Sequence, residues 1–138
     1  LRLGTIFGNS VGMRFHTAIN KFCYQAAFEK SLTVWKQNYT QVRPYLGIND
    51  AQTAFIIAIN NKEKMKGTFN VLTGNYSLND IIDSIQCLKK VQIEWTDTPL
   101  LNQYSYNVNY DKIKQLGYIP CDSLEWEIGH TLKLLKHN

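Results

Sequence analysis

The chain has 138 residues, of which 44% are apolar and 12% aromatic, enough for one globular domain of ordinary size. Its formal charge of +4 comes from 15 basic residues scattered among 11 acidic ones, a pattern that argues against a nucleic-acid-binding face. The longest apolar run, residues 54–59, is far too short to cross a bilayer, so no membrane partner is expected.

Cys23, Cys87 and Cys121 are odd in number and lack C-x-x-C spacing. That argues against a disulfide framework or a zinc site and makes a reducing, cytoplasmic compartment the expectation. The opening residues carry no basic region leading into an apolar core, so a signal peptide is not expected. A strand-like start without Met suggests a chain that begins inside a fold.

In chain order, residues 1–7 read as a short buried strand ended by Gly8-Asn9-Ser10, and a glycine-containing loop runs on to about Phe15. Ile19, Phe22, Cys23, Ala26 and Ala27 then recur at helical spacing. Residues 31–35 are rich in strand formers, and residues 36–40 make a polar turn. Pro44 pushes the residue before it, Arg43, away from helical angles, so residues 42–48 are extended. Asn49 is placed to cap a helix whose inner face would be Ala51, Ala54, Phe55, Ala58 and Ile59. Residues 67–72 predict another strand and residues 73–76 a loop. Ser77 and Asp80 have capping-box spacing, ahead of a helical stripe of Leu78, Ile81, Ile82, Ile85 and Leu88. Residues 91–95 alternate as a strand does, and residues 104–108 read as a further short one. Residues 111–116 form a brief helix stopped by Gly117. Asp122 with Glu125 opens a last helix through Leu124, Ile128, Leu132 and Leu135. Strands and helices alternate without repeats or a linker, which predicts a single α/β domain over residues 1–138.

Several chemistries are missing. There is no G-x-G-x-x-G or Walker-type loop to cradle a pyrophosphate. His16, His130 and His137 are far apart, none at metal-ligand spacing with another His or Cys, so no metal is expected. His130 and His137 ride on the last helix as surface residues, and no nucleophilic Ser or Cys motif appears. A binding or scaffold unit fits these residues better than a complete catalyst.

Arg43 carries the strongest remaining signal. A planar, permanently charged fork holds phosphate oxygens in fixed geometry, and a helix N-terminus follows it closely. Gln41, two residues earlier, would add a neutral hydrogen bond. The competing reading of Arg43 is a salt bridge to Asp50 or Glu29, and both stand at this point. Thr33 and Trp35 share one strand face, suited either to stacking and bonding a flat heteroaromatic ring or to the core. Asn20, at the edge of the first helical stripe, faces either a ligand or water.

The segments "LRLGTIFG", "GMRFHTAINKFCYQA", "SLTVW…QVRPYLGINDA", "FNVLTGNYSLNDII" and "YDKIKQLGYIP" occur in this order. Together they resemble the C-terminal half of extended short-chain dehydrogenases/reductases, the NAD-dependent epimerase/dehydratase family, over nearly the whole chain. The turn from Trp35 to Gln41, with Asn102-Gln103-Tyr104-Ser105-Tyr106, is similar to a bacterial subgroup linked to surface-polysaccharide genes.

The resemblance implies an α/β fold made of the last Rossmann strands and a small mixed subdomain. The Rossmann half, with its Gly-rich loop and Tyr-x-x-x-Lys, would be missing, so the chain would be a fragment or a truncated relative. It implies a nucleotide-sugar substrate, NAD or NADP held mainly by the other half, and a homodimer in the intact enzyme. The arginine matching Arg43 holds the diphosphate in that family, positions matching Thr33 and Trp35 line the nucleobase site, and the position matching Asn20 lies near the sugar diphosphate. Thr5 would lie near the nicotinamide, and Tyr106 falls where many sugar epimerases carry a second arginine. The family's reaction begins with hydride transfer from a sugar carbon to NAD, with epimerisation, elimination or decarboxylation of the keto sugar to follow; no catalytic residue of it lies in this chain. A non-catalytic nucleotide-sugar-binding module is the alternative. Residues 1–7 would belong to a larger parallel sheet, buried on both faces, so the isolated chain is expected to dimerise or aggregate.

Overall fold

The computed structural model describes residues 1–97 and 104–136. Asn102, Gln103 and His137 lie outside the described residues. No helix among the described residues is long and apolar enough to cross a membrane.

The first expected strand is two. β1 (Arg2–Leu3) pairs in parallel with β5 (Asn70–Val71), and β2 (Thr5–Phe7) pairs in parallel with β4 (Val42–Gly47). The chain changes partner at Gly4, whose N–H reaches the Val71 carbonyl at 2.9 Å. A Cβ there would lie 3.1 Å from the Pro44 carbonyl, so the crossing is possible because the residue has none. Only Phe7 of these five strand residues is buried; Ile6 is exposed, which corrects the reading of residues 1–7 as a short buried strand.

β4 is the centre of a three-stranded sheet. On its other side β6 (Gly74–Ser77) runs antiparallel, with Arg43 opposite Tyr76 and Tyr45 opposite Gly74. Residues 73–76 are therefore mostly strand, not loop: their turn-like composition is overridden by pairing to β4. β3 (Leu32–Trp35) pairs in parallel with β7 (Ile93–Thr96), and Lys36–Asn38 makes a 3-10 turn after β3.

Three helices cover this framework. α1 (Ala18–Ala27) turns Ile19, Phe22, Cys23 and Ala26 inward, as the spacing predicts. α3 (Leu78–Leu88) starts at a complete capping box: Ser77 Oγ accepts from the Asp80 N–H at 3.1 Å, and the Asp80 carboxylate accepts from the Ser77 N–H at 2.8 Å. Ile81, Ile82 and Ile85 are buried while Leu88 is exposed. α5 (Leu124–Lys136) packs against both, and the main core gathers Phe22, Val34, Tyr45, Ile82, Ile128 and Leu132 among others.

α2 (Ile48–Asn60) departs most from expectation. Its N-cap is Gly47, and Asn49 is already helical. The free N–H groups of Asn49 and Asp50 are satisfied by Asp122 Oδ2, at 2.9 and 3.0 Å, from a segment far along the chain. A Cβ at Gly47 would sit 2.1 Å from that oxygen, so the glycine makes room for the borrowed cap. Asp122 thus caps α2 rather than α5, which starts instead with Ser123 Oγ accepting from the Trp126 N–H at 3.1 Å. Asp50 returns the arrangement: its Oδ1 accepts from the N–H groups of Cys121 (2.7 Å) and Asp122 (3.3 Å), while its Oδ2 accepts from the Thr73 hydroxyl.

The buried face of α2 is small, formed by Ala51 and Ala54 in a second core with Leu46, Phe69, Val71 and Tyr118. Phe55, Ile56 and Ile59 are 50%, 59% and 71% exposed, so the inner-face assignment of Phe55 and Ile59 is corrected. Ala51 and Ala54, with the partly buried Ile57 beside them, make the apolar contact, and that rotation turns Phe55, Ile56 and Ile59 outward.

Residues 104–108 form no strand. The segment is held by mixed bonds: the Tyr106 N–H reaches the Val42 carbonyl at 3.2 Å, and Ser105 Oγ accepts from the Val42 N–H at 3.0 Å. Asn75 stands in for a strand partner, its amide both accepting from and donating to the Val108 backbone. α4 (Asp111–Lys114) ends toward Gly117, which has φ +91°, as expected of a glycine stop. Cys23, Cys87 and Cys121 are all free thiols, and His130 is exposed on α5.

Glu127 of α5 is 2% exposed, and a Cβ on Gly8 would lie 2.5 Å from its Oε2. Burial, with the Asp122 carboxylate adding to it, holds Glu127 above the ordinary carboxyl range. The folded state then binds this proton more tightly than the unfolded state does. Its contribution is most favourable below the unfolded pKa and is lost as pH rises through the folded value. Glu127→Gln is therefore expected to raise the urea midpoint relative to the parent near pH 7–8 and to lose that advantage near pH 4. A variant equally destabilised at both pH values would contradict this. The outward Phe55–Ile59 face gives a second expectation: the chain alone self-associates in light scattering, and Phe55→Ser with Ile59→Ser shifts it toward monomer. A monodisperse parent at high concentration would contradict it.

Candidate functional site

A cleft of about 760 Å³ opens beside the start of α1, between the ends of β3 and β4 and under the 104–106 segment. Thr33 and Trp35 of β3 line it, and Trp35 is half exposed, so the indole is a cleft wall rather than core. Arg43 and Tyr45 come from β4, with Gln41 just ahead of that strand. His16 and Thr17 come from the turn that leads into α1 and Lys21 from its first turn, and Tyr104 and Tyr106 from the other rim. Among the described residues the lining holds three basic residues and no carboxylate. Such a cavity favours an anion.

Arg43 is extended because Pro44 follows it, and β4 is pinned between β2 and β6. Its guanidinium carbon sits 4.9 Å above the centre of the Tyr106 ring. Nη2 is shielded from solvent and has no hydrogen-bond partner among the described residues. No ion pair among the described residues involves Arg43, so neither Asp50 nor Glu29 neutralises it. Asp50 is already engaged by Thr73, Cys121 and Asp122. An unpaired buried donor costs on the order of 1–3 kcal/mol, more when charged, which an anion beside it would recover. Burial pushes the Tyr45 phenol up to about 12, with the nearby Arg43 charge acting in the opposite sense, so Tyr45 is a neutral wall of the cleft.

The other sequence candidates differ in their freedom. Thr33 Oγ1 accepts from Gln25 Nε2 at 3.1 Å and keeps its own proton to donate. Gln41 turns its amide nitrogen to the Gln37 carbonyl at 3.3 Å, leaving its oxygen as the available group. Asn20 does not line this cleft. It is 2% exposed, donates to the Arg14 carbonyl at 3.2 Å, and leaves Oδ1 unpartnered beside a smaller cleft of about 460 Å³. Thr5 and Thr17 line both clefts, so the two meet there.

Sequence reading missed His16, Thr17, Lys21, Tyr45 and Tyr104. Lys21 lies off the apolar stripe of α1, which reads as an ordinary solvated position; only the packing of α1 beside β3 and β4 brings it to the cleft. Asp50, Cys121 and Asp122 also place oxygen and sulfur atoms within 4.8 Å of one another. Those carboxylates already accept backbone N–H groups, and Asp50 and burial hold the Cys121 thiol above its ordinary range, so the group acts as a clasp between chain segments.

No family model matches the chain. The chloroplastic UDP-sulfoquinovose synthase of Spinacia oleracea is 31% identical over 115 residues, which are 77% of this chain and 24% of that protein. UDP-glucuronic acid 4-epimerase from Bacillus cereus, solved with UDP-glucuronic acid and NAD, superposes with a TM-score of 0.84 at 22% identity, over 99% of this chain and 44% of that one. A partial consensus L-threonine 3-dehydrogenase gives a TM-score of 0.84 at 14% identity, over 100% and 48%. The chain thus spans a quarter of the curated relative's length and less than half of the solved ones. On the sequence relative and the shared architecture, the chain belongs to the extended short-chain dehydrogenases/reductases of the NAD-dependent epimerase/dehydratase type and corresponds to their C-terminal portion.

Proposed function

We propose that this chain is the nucleotide-sugar-binding part of an NAD(P)-dependent oxidoreductase of the sugar epimerase or dehydratase kind. The observation that carries the reading is the Arg43 guanidinium, with a buried, unpaired Nη2 in a cleft that contains no carboxylate. A nucleoside diphosphate fits that chemistry. The diphosphate lies against Arg43, with Lys21 supplying further positive charge and the His16 imidazole a further hydrogen-bonding group. The base stacks on the exposed Trp35 indole and bonds the Thr33 hydroxyl. The sugar then extends toward Thr5 and Thr17, where the two clefts meet and Asn20 Oδ1 awaits a hydroxyl donor.

NAD or NADP, when bound, accepts the sugar's hydride. These 138 residues contain no Gly-rich phosphate loop, and Thr5 is the group they offer toward a nicotinamide. Their part is to bind, orient and cover the donor sugar. We propose further that the intact protein is a cytoplasmic homodimer that works in surface-polysaccharide synthesis, a reading supported by the family likeness and by the turn between Trp35 and Gln41.

Calorimetric titration of the protein with UDP tests the reading. Micromolar binding is expected, and Arg43→Ala is expected to weaken it about ten- to a hundred-fold, the worth of a charge-assisted hydrogen bond. Arg43→Lys keeps the charge without the fork and falls between the two. No binding, or an Arg43→Ala variant as tight as the parent, overturns the proposal.

A further inference from the structure

We infer that Tyr106 is the positioning residue for Arg43, holding the guanidinium plane so that its in-plane N–H groups meet the diphosphate; this rests on the reading that Arg43 binds that group. The ring lies 4.9 Å from the guanidinium carbon, within the range of a cation–π contact. A cation–π contact engages the charge without using up an N–H donor, so the hydrogen-bonding groups of the guanidinium stay available to an anion. A lone arginine of about four rotatable bonds would otherwise lose much of its freedom on binding an anion. The Tyr106 ring fixes that orientation beforehand.

The ring is itself held in place. The Tyr106 N–H bonds the Val42 carbonyl at 3.2 Å, and Ser105 Oγ accepts from the Val42 N–H at 3.0 Å, one residue before Arg43. Two residues on, the Val108 N–H donates to the Asn75 side chain at 2.9 Å and the Val108 carbonyl accepts from it at 3.1 Å. Asn75 belongs to β6, which pairs with β4 and sets Pro44 opposite Asn75. The segment carrying the ring and the strand carrying the arginine are therefore referenced to the same two strands. Among the described residues no second cation stands on the Tyr104–Tyr106 rim, so on that side the ligand meets the Arg43 fork alone.

The test is a double-mutant cycle read by UDP titration. Tyr106→Phe keeps the ring and is expected to bind within about twofold of the parent. Tyr106→Ala is expected to lose about three- to thirty-fold, the range of a partly desolvated cation–π contact. In an Arg43→Ala background the same Tyr106→Ala change is expected to cost nothing further. Tyr106 is half exposed, so its removal leaves the core intact, and an unchanged melting temperature checks this. Parent-like or tighter binding by Tyr106→Ala, failure of Tyr106→Phe to restore binding, or an equal loss without Arg43 overturns the inference. A parent protein that binds no UDP removes both this inference and the function it rests on, whereas binding that depends on Arg43 but not on Tyr106 removes this inference alone.

Discussion

An arginine held in a folded protein without a carboxylate partner is the constraint around which this molecule is organised. A guanidinium cannot shed its charge, so its surroundings must supply partners or leave room for one. Here the obvious internal partner is taken. Asp50 accepts from Thr73, Cys121 and Asp122, and Asp122 accepts from Asn49 and Asp50 in return. That clasp joins the end of β4, the start of α2 and the approach to α5. It removes two carboxylates from competition for Arg43 and fixes the strand that carries it.

The same arrangement separates what the fold provides from what the side chains choose. The architecture is shared by a UDP-glucuronic acid epimerase and a threonine dehydrogenase at low identity, so the fold does not select a ligand. Selection falls to the residues that line the cleft. A cation set on a central strand, an indole left open at the end of β3, and tyrosines on the rim together suit a ligand with a flat ring and a charged linker. Thr5 stands where the two clefts meet.

Local signals were legible wherever their physics is local. Pro44 fixes the extended conformation of Arg43, Ser77 and Asp80 form their box, and the stripes of α1 and α3 face the core, because each depends on neighbours a few residues away. What could not be read depends on distant partners. Asp122 looks like a cap for the helix that follows it, yet serves α2, because only the packed chain brings α2's free N–H groups to it. Phe55 and Ile59 repeat at helical spacing, yet point outward, because Ala51, Ala54 and Ile57 form the face that packs on the second core. Residues 74–77 carry loop-like side chains and become a strand through pairing with β4. At the site, Arg43 was visible as a charge within a strand, and Thr33 and Trp35 as a hydroxyl and an indole sharing one strand face. Lys21, on α1, and His16, in the turn before it, were not, because a basic residue outside an apolar stripe has no signature until other elements pack beside it.

A crystal structure of the protein grown with UDP is the most direct measurement of the central claim. The account predicts a phosphoryl oxygen within about 3 Å of an Arg43 guanidinium nitrogen, the Tyr106 ring still in cation–π contact with the guanidinium, and the uracil against Trp35. UDP bound elsewhere, or an Arg43 side chain paired with a carboxylate while the nucleotide sits in the cleft without it, would contradict the account.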